Sequence, residues 1–197
     1  MLFRSALVSF ERRHRLWLYP PSDPPFIHPP RAVPLPRRAA EMPENGGIEG
    51  LLRLAGGRLF ALSEELMDGR DTVGWIGDGI TWDELRYRAG RDFKPTGLAQ
   101  FPPGTRHPGD VLVLERRFTV LDGPGARITR LRRSAIRGGA ALEGEELAIL
   151  RQPSTVDNFE GIAIARGPQG ETLVYLLSDD NFSMWQRTLL LMFELTP

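Results

Sequence analysis

A short phrase recurs along this chain, and it constrains the fold more than any other feature. Each copy has a strand-like apolar segment, a turn rich in glycine or proline, and a second apolar segment that ends at an acidic residue. The clearest copies cover residues 48–64 and 159–179, a looser copy covers 96–115, and residues 7–11 match the second half of a fourth. Two strand-like runs joined by such a turn predict a β-hairpin, so the chain is predicted to be a series of hairpins.

The spacing of these copies predicts the architecture. The glycines that open the copies, Gly50, Gly97 and Gly161, are 47 and then 64 residues apart. Further strand candidates follow the four copies, at residues 15–19, 73–76, 82–87, 127–131, 146–150 and 188–195. Four strands in a unit of roughly 40–50 residues are typical of a β-propeller blade, and insertions map to loops. We therefore expect an all-β chain, a β-propeller of four-stranded blades with about three to four blades present.

The ends of the repeats leave the closure of the propeller open. The first copy lacks its first half, and the last copy ends after its third strand. An N-terminally shortened relative of a longer propeller and an open arc both fit this pattern, and we favour the shortened relative. A short helical turn within residues 143–150 is the one alternative to strands. The sequence predicts a single domain over residues 1–197.

Proline is concentrated in one stretch of this domain. Nine of the 17 prolines lie at or before Pro43. Because proline fixes φ and removes a hydrogen-bond donor, residues 20–36 are predicted to form loop, polyproline or exposed edge. We interpret residues 20–43 as a Pro-rich connector, and a role as a Pro-rich ligand stays open.

Composition narrows the classes of partner. The formal net charge is +0, which gives no electrostatic reason to expect nucleic acid or an anionic membrane. Cysteine is absent, which excludes disulfides and thiolate metal sites. The longest apolar runs are far too short to cross a bilayer, and charged residues follow Met1 too closely for a signal peptide. A small-molecule ligand is the remaining expectation.

Acidic residues recur at fixed places in the repeat. Glu49 and Glu160 precede the opening glycine, and the second strands are followed by Glu11, Glu64, Glu115 and Asp179. In a propeller the first strand of each blade lines a central channel, so equivalent residues converge there. Converging carboxylates need a cation, an arginine or a raised pKa, and oxygen ligands with asparagine nearby suit Ca²⁺. The alternative is that these acids are solvated turn residues or arginine partners.

Conventional catalytic patterns are missing. The sequence has no Gly-x-Ser-x-Gly nucleophile elbow and no phosphate-binding or dinucleotide-binding glycine loop. Its three histidines lack zinc-ligand spacing. We interpret Trp75, Trp82 and Trp185 as aromatics that pack between blades.

Several segments resemble a known family. Residues 44–51, 157–163 and 177–183, together with 9–17 and 186–191, are similar to the phytase-like (esterase-like activity of phytase) family. The resemblance runs from about residue 7 to residue 195. It implies a β-propeller, usually exported, with phosphoester hydrolysis by analogy with calcium-dependent phytases. Family members are typically longer at the N-terminus, with an export signal.

Two functions follow from these residues and the resemblance. The first is a Ca²⁺-assisted phosphoester hydrolase with an acidic channel site. Its predicted catalytic residues are Glu160, Asp157 and Glu49, its Ca²⁺ ligands Asp157, Asn158, Glu160 and Asp179, and its phosphate-binding residues Arg116, Arg117, Arg12 and Arg13. The alternative is a non-catalytic ligand-binding or interaction propeller, including an inactive shortened copy.

Overall fold

The computed structural model describes residues 5–119 and 123–196, and this part of the chain is built almost entirely from β-strands. The strands are β1 (Ala6–Phe10), β2 (Arg15–Tyr19), β3 (Arg31–Val33), β4 (Ile48–Arg53), β5 (Leu59–Asp68), β6 (Asp71–Gly77), β7 (Trp82–Arg88), β8 (Lys94–Gln100), β9 (Val111–Thr119), β10 (Gly123–Leu131), β11 (Ala141–Glu143), β12 (Glu145–Arg151), β13 (Phe159–Arg166), β14 (Thr172–Ser178) and β15 (Leu190–Glu194). Short 3-10 helices cover Arg37–Glu41 and Arg133–Ala135.

The strands form four separate sheets, numbered here in chain order. Sheet 1 has the order β1-β2-β3, and sheet 2 has the order β11-β7-β6-β5-β4. Sheet 3 has the order β12-β10-β9-β8, and sheet 4 has the order β13-β14-β15. All pairings are antiparallel except that of β11 with β7. The prediction of an all-β chain is therefore confirmed, and no sheet closes on itself within the described residues.

The predicted hairpins are confirmed in position. β4 pairs with β5, β8 with β9, and β13 with β14, while β1 is paired with β2 on one side. The alternative of a helical turn over residues 143–150 is wrong, because β12 is extended and hydrogen-bonds to β10. The Pro-rich stretch contributes one strand, β3, at the edge of sheet 1, and the 3-10 helix Arg37–Glu41; residues 20–36 thus have the predicted loop and edge character.

Consecutive sheets pack face to face through three clusters of buried apolar side chains. The core between sheets 1 and 2 contains Leu16 and Trp75, and the core between sheets 2 and 3 contains Phe60 and Val113. The core between sheets 3 and 4 contains Leu114. Sheet 3 is thus covered on both faces. That position explains the continuous apolar run at the start of β9, because alternate residues of one strand fill two different cores.

The tryptophans behave differently from one another. Trp75 is buried between sheets 1 and 2, and Trp82 is half-buried with its ring nitrogen donating to the Pro34 carbonyl. Trp185 is 90% exposed, so its prediction as a packing aromatic is wrong. It lies in the turn segment between β14 and β15, where no neighbouring sheet reaches it. No helix in the described part of the chain is long and apolar enough to cross a membrane.

Candidate functional site

The first strands of sheets 2, 3 and 4 lie side by side, with β8 between β4 and β13 and in contact with both. These first strands can approach each other closely because the glycine of the repeat has no side chain. A side-chain carbon at Gly97 would lie 3.1 Å from the Glu160 carbonyl oxygen, and one at Gly50 would lie 3.0 Å from Leu98. The glycine of the repeat therefore brings neighbouring strands together, which places the residues around it near one another.

A β-bulge occurs at the same place in each of these three strands. The register shifts across Glu49, Thr96 and Glu160, each of which directly precedes the glycine. The two glutamates predicted from the sequence are thus structurally equivalent. In sheet 3 the position is occupied by Thr96, whose hydroxyl donates to the Phe159 carbonyl at 3.1 Å.

The register also corrects one predicted equivalence. Glu115 is opposite Pro95, at the position that Ser63 and Ser178 occupy in sheets 2 and 4. The residue equivalent to Glu64 is therefore Arg116. A shift of one residue reverses the face of a strand, so Glu115 does not belong to the converging acids.

Three carboxylates do converge. Glu11, just after β1, meets Glu49 of β4 and Glu64 of β5, with one oxygen of each lying within 4.8 Å of the others. Glu64 is only 5% exposed. Glu11 also accepts a long hydrogen bond of 3.5 Å from the Gly47 amide, which ties the cluster to the loop before β4. Sheets 1 and 2 thus share a group of three carboxylates. We call Glu11, Glu49 and Glu64 the acidic cluster.

The proximity of these groups changes their protonation. Burial raises the pKa of Glu49 to about 7, helped by a hydrogen bond to Glu11 and by the charges of Glu11, Glu64 and Glu160. Burial also raises the pKa of Glu64, although the charges of Arg116 and Lys94 oppose that rise. Near neutral pH the cluster therefore holds a proton or needs another positive charge.

Arg116 is the cation that joins the cluster to the remaining sheets. From β9 of sheet 3, one terminal nitrogen donates to Glu64 at 3.0 Å and the other donates to the Asn158 side-chain oxygen at 3.0 Å. Its Nε lies 3.9 Å from Glu160 and has no hydrogen-bond partner among the described residues. Asn158 in turn donates to Glu160 at 2.7 Å. All four sheets thus contribute to one continuous polar group.

Two other predicted site residues serve the local backbone. Asp157 is 8% exposed and accepts hydrogen bonds from the amides of Asn158 at 2.9 Å and Arg187 at 3.1 Å. Asp179 accepts from the Asn181 amide at 3.0 Å, which shapes the turn after β14. These carboxylates hold the segments that follow β12 and β14 in place.

The remaining predicted phosphate-binding arginines do not share the contacts of Arg116. Arg12 is exposed in a tight turn with φ 62, and its amide donates to the Glu44 carbonyl. Arg13 is exposed, and its carbonyl accepts from Arg15 at 2.9 Å. Arg117 points to the opposite face of β9 from Arg116 and lies 5.0 Å from the Phe93 ring.

The structure therefore brings together Glu49, Glu160, Asn158 and Arg116 from the predicted site, and adds Glu11 and Glu64. The signal for both added glutamates was present in the sequence, since they end the second strand of their repeats. An all-oxygen donor set suits a hard cation such as Ca²⁺, and the donors present fit that ion.

No curated protein matches the chain. The crystal structure of a protein of unknown function from Dyadobacter fermentans matches with a TM-score of 0.46 and 13% sequence identity, over 91% of this chain and 52% of that one. The chain thus spans about half the length of that protein. The family model described as "Phytase-like: Esterase-like activity of phytase" matches residues 4–182, and the chain belongs to this phytase-like family.

Proposed function

We propose that this chain is a β-propeller protein that hydrolyses phosphoesters with the assistance of Ca²⁺, at the polar group that its four sheets share. The observation that carries the proposal is the convergence of Glu11, Glu49 and Glu64 beside Arg116. Membership of the phytase-like family supports the same chemistry.

The propeller assignment is supported by three features. Consecutive sheets stack face to face, their first strands are neighbours, and each of those strands carries the same bulge before a glycine. In this interpretation the four sheets are blades of a single domain over residues 1–197, with 20–43 as a connector. The acidic cluster then lies at the channel end of the first strands.

Ca²⁺ would be held by the carboxylates of Glu11 and Glu64, which leaves Glu49 beside them free to carry a proton. Bound there, the ion supplies a water of lowered pKa and shields the charge of a phosphate group. Glu160 and Asn158 lie across Arg116 from this cluster and extend the acidic wall. The predicted roles of Asp157 and Asp179 as ligands stay predictions, because both carboxylates already accept hydrogen bonds from backbone amides.

The chain's own residues would position the phosphate and move protons. Arg116 presents a planar pair of donors that matches two phosphate oxygens, once Glu64 turns to the cation. Glu49, with a pKa of about 7, can release or accept a proton near neutral pH, as a general acid or base requires. Attack of water on phosphorus, with departure of the alcohol as its protonated form, completes the hydrolysis.

The experiment is phosphate release from nitrophenyl phosphate and from phytate, with CaCl₂ or with a chelator. We expect Ca²⁺-dependent release that Glu49→Gln lowers by at least about 100-fold, the scale typical of a general acid–base group. Glu64→Gln should lower the release as well, because it removes a carboxylate that would hold the ion. Glu143→Gln is the matched control, because Glu143 is exposed at the opposite edge of sheet 2 and should leave the rate unchanged. Absence of release above buffer would exclude the hydrolase.

A second candidate is a non-catalytic propeller that binds a small ligand. It is favoured by one observation: both terminal nitrogens of Arg116 already donate to Glu64 and Asn158. Calorimetry with Ca²⁺ and inorganic phosphate separates the two functions. Binding of either without any turnover supports the second candidate, whereas turnover that Glu49→Gln removes excludes it.

A further inference from the structure

The outer face of sheet 4 is a wide apolar surface. Alternation along β14 turns Val174 and Leu176 toward sheet 3, which leaves Tyr175 and Leu177 on the other side. The paired residues of β15 lie beside them on the same face. The strand residues on this face are Ala163, Ala165, Leu173, Tyr175, Leu177, Leu190, Met192 and Glu194. Leu177, Leu190 and Met192 are 48%, 68% and 60% exposed, although they lie on strands.

The outer face of sheet 1 is apolar as well, and it is aromatic. Leu7 and Leu16 turn toward sheet 2, so the alternate residues of β1 and β2 face away from it. These are Ala6, Val8, Phe10, Arg15, Trp17 and Tyr19, all of them half-buried at most. Phe10 and Trp17 stack edge to face with centroids 5.1 Å apart, and Arg15 lies over both rings. Within the described residues, no sheet covers this face.

The strand register shows which surface packs on the equivalent faces of sheets 2 and 3. Leu177 is opposite Gly161, as Leu62 is opposite Gly50 and Leu114 is opposite Gly97. Leu62 and Leu114 are fully buried, each beneath the next sheet in the series. The outer face of sheet 4 is therefore built at the strand positions that receive a following sheet. By the same alternation, the outer face of sheet 1 is on the side that meets a preceding sheet.

We propose that two copies of this chain associate head to tail, with the outer face of sheet 4 in each copy packed on the outer face of sheet 1 in its partner. This contact continues the face-to-face packing that already occurs three times within the chain. One type of contact then covers the outer faces of sheets 1 and 4 in both copies.

The charges of the two faces are compatible with this contact. On the strands, the face of sheet 1 carries one charged residue, Arg15, and the face of sheet 4 carries one, Glu194. The two charges have opposite signs, so they attract when sheet 4 packs on sheet 1. A contact between two copies of sheet 4 would instead place like charges on both surfaces. The inference does not depend on the hydrolase proposal, because none of these residues belongs to the acidic cluster.

The test is the mass in solution by light scattering after size exclusion, over a range of concentrations. The chain has a mass of 22.1 kDa, and we expect twice that value. The double substitution Leu190→Glu with Met192→Glu should raise the dissociation constant by about 30-fold or more, as for a central interface residue. Trp17→Glu should do the same from the other face. Phe118→Glu is the control, because Phe118 is 72% exposed on sheet 3, outside both faces.

Mixing the variants tests the head-to-tail arrangement. The sheet 4 variant and the Trp17 variant, each monomeric alone, still share one intact junction and should form a mixed dimer at high concentration. Dimerisation of the Trp17 variant by itself would overturn the proposal in favour of like faces meeting. A wild-type monomer, or a polydisperse assembly without a closed dimer, would also overturn it. Circular dichroism of each variant confirms that loss of the dimer is not loss of the fold.

Discussion

Two carboxylate sites in this molecule are held in opposite ways, and only the first is fully buried. Glu115, between sheets 2 and 3, is fully buried and accepts from Arg127 at 2.8 and 3.0 Å, from the Gly90 amide at 2.9 Å, and from the Tyr87 hydroxyl. The acidic cluster instead gathers three carboxylates around a single arginine contact.

Glu115 and the acidic cluster differ in how many hydrogen-bond donors surround their negative charges. Three donor atoms contact the two oxygens of Glu115, so burial of that carboxylate stabilises one arrangement of the two sheets. Burial and the charge of Glu115 raise the pKa of the Tyr87 hydroxyl well above its ordinary value, which keeps it a donor. In the acidic cluster, like charges lie together with too few donors. A group of this kind lowers stability unless a proton or cation binds, and perturbed carboxyls of this type are common at functional sites.

Removal of the Glu115 carboxylate should have the largest effect on stability. Glu115→Ala leaves Arg127 and the Tyr87 hydroxyl buried without their partner, and we expect a loss of about 3–5 kcal/mol in the free energy of unfolding. Urea denaturation measures it. Glu64→Ala, which removes a repelling charge as well as a partner of Arg116, should cost clearly less. Equal losses would show that both groups are structural.

Ca²⁺ should stabilise the folded protein through the acidic cluster. At pH 8 we expect CaCl₂ at about 100 times its dissociation constant to stabilise the wild type by about 2.7 kcal/mol, because only the folded state assembles the cluster. Thermal unfolding with and without chelator measures the gain. It should disappear in Glu64→Gln and persist in Glu143→Gln. A gain that survives Glu64→Gln would place the cation elsewhere.

The protonation of Glu49 predicts a pH dependence in the absence of Ca²⁺. Its pKa is about 7 when folded and about 4.5 when unfolded, so the folded state binds the proton more tightly. This stabilisation is complete below pH 4.5 and is lost as the pH rises through 7. Allowing for solvent screening, the loss is about 1–2 kcal/mol. Glu49→Gln should remove this slope in urea titrations, and an unchanged slope would contradict the assignment.

An exposed ion pair provides the reference with the smallest effect. Arg58 and Asp83 lie 3.0 Å apart, with side chains 47% and 65% exposed. Asp83→Asn should change the free energy of unfolding by less than about 1 kcal/mol, since water screens both charges. A larger loss would mean that burial does not decide how much a carboxylate contributes to the stability of this protein.

Much of the fold was predictable because its signals are local. Alternating apolar residues with a glycine turn define the hairpins, and the recurrence of Gly50, Gly97 and Gly161 predicted several equivalent units. The same recurrence placed Glu49 and Glu160 at equivalent positions, which the bulges confirm. The neighbourhood of Arg116 was harder to predict, because its partners Glu64 and Asn158 are 52 and 42 residues away in sequence.

Most of the strands, the hairpin pairings and the family could be inferred from the sequence alone, because each depends on short segments. Which acids meet depends on how the folded sheets are arranged. A single position of register sends Glu115 into a satisfied core pair and Arg116 to the acidic cluster. Sequence spacing does not specify that register when a bulge intervenes. The stacking of separate sheets then brings Glu11, Glu49 and Glu64 within reach of one another.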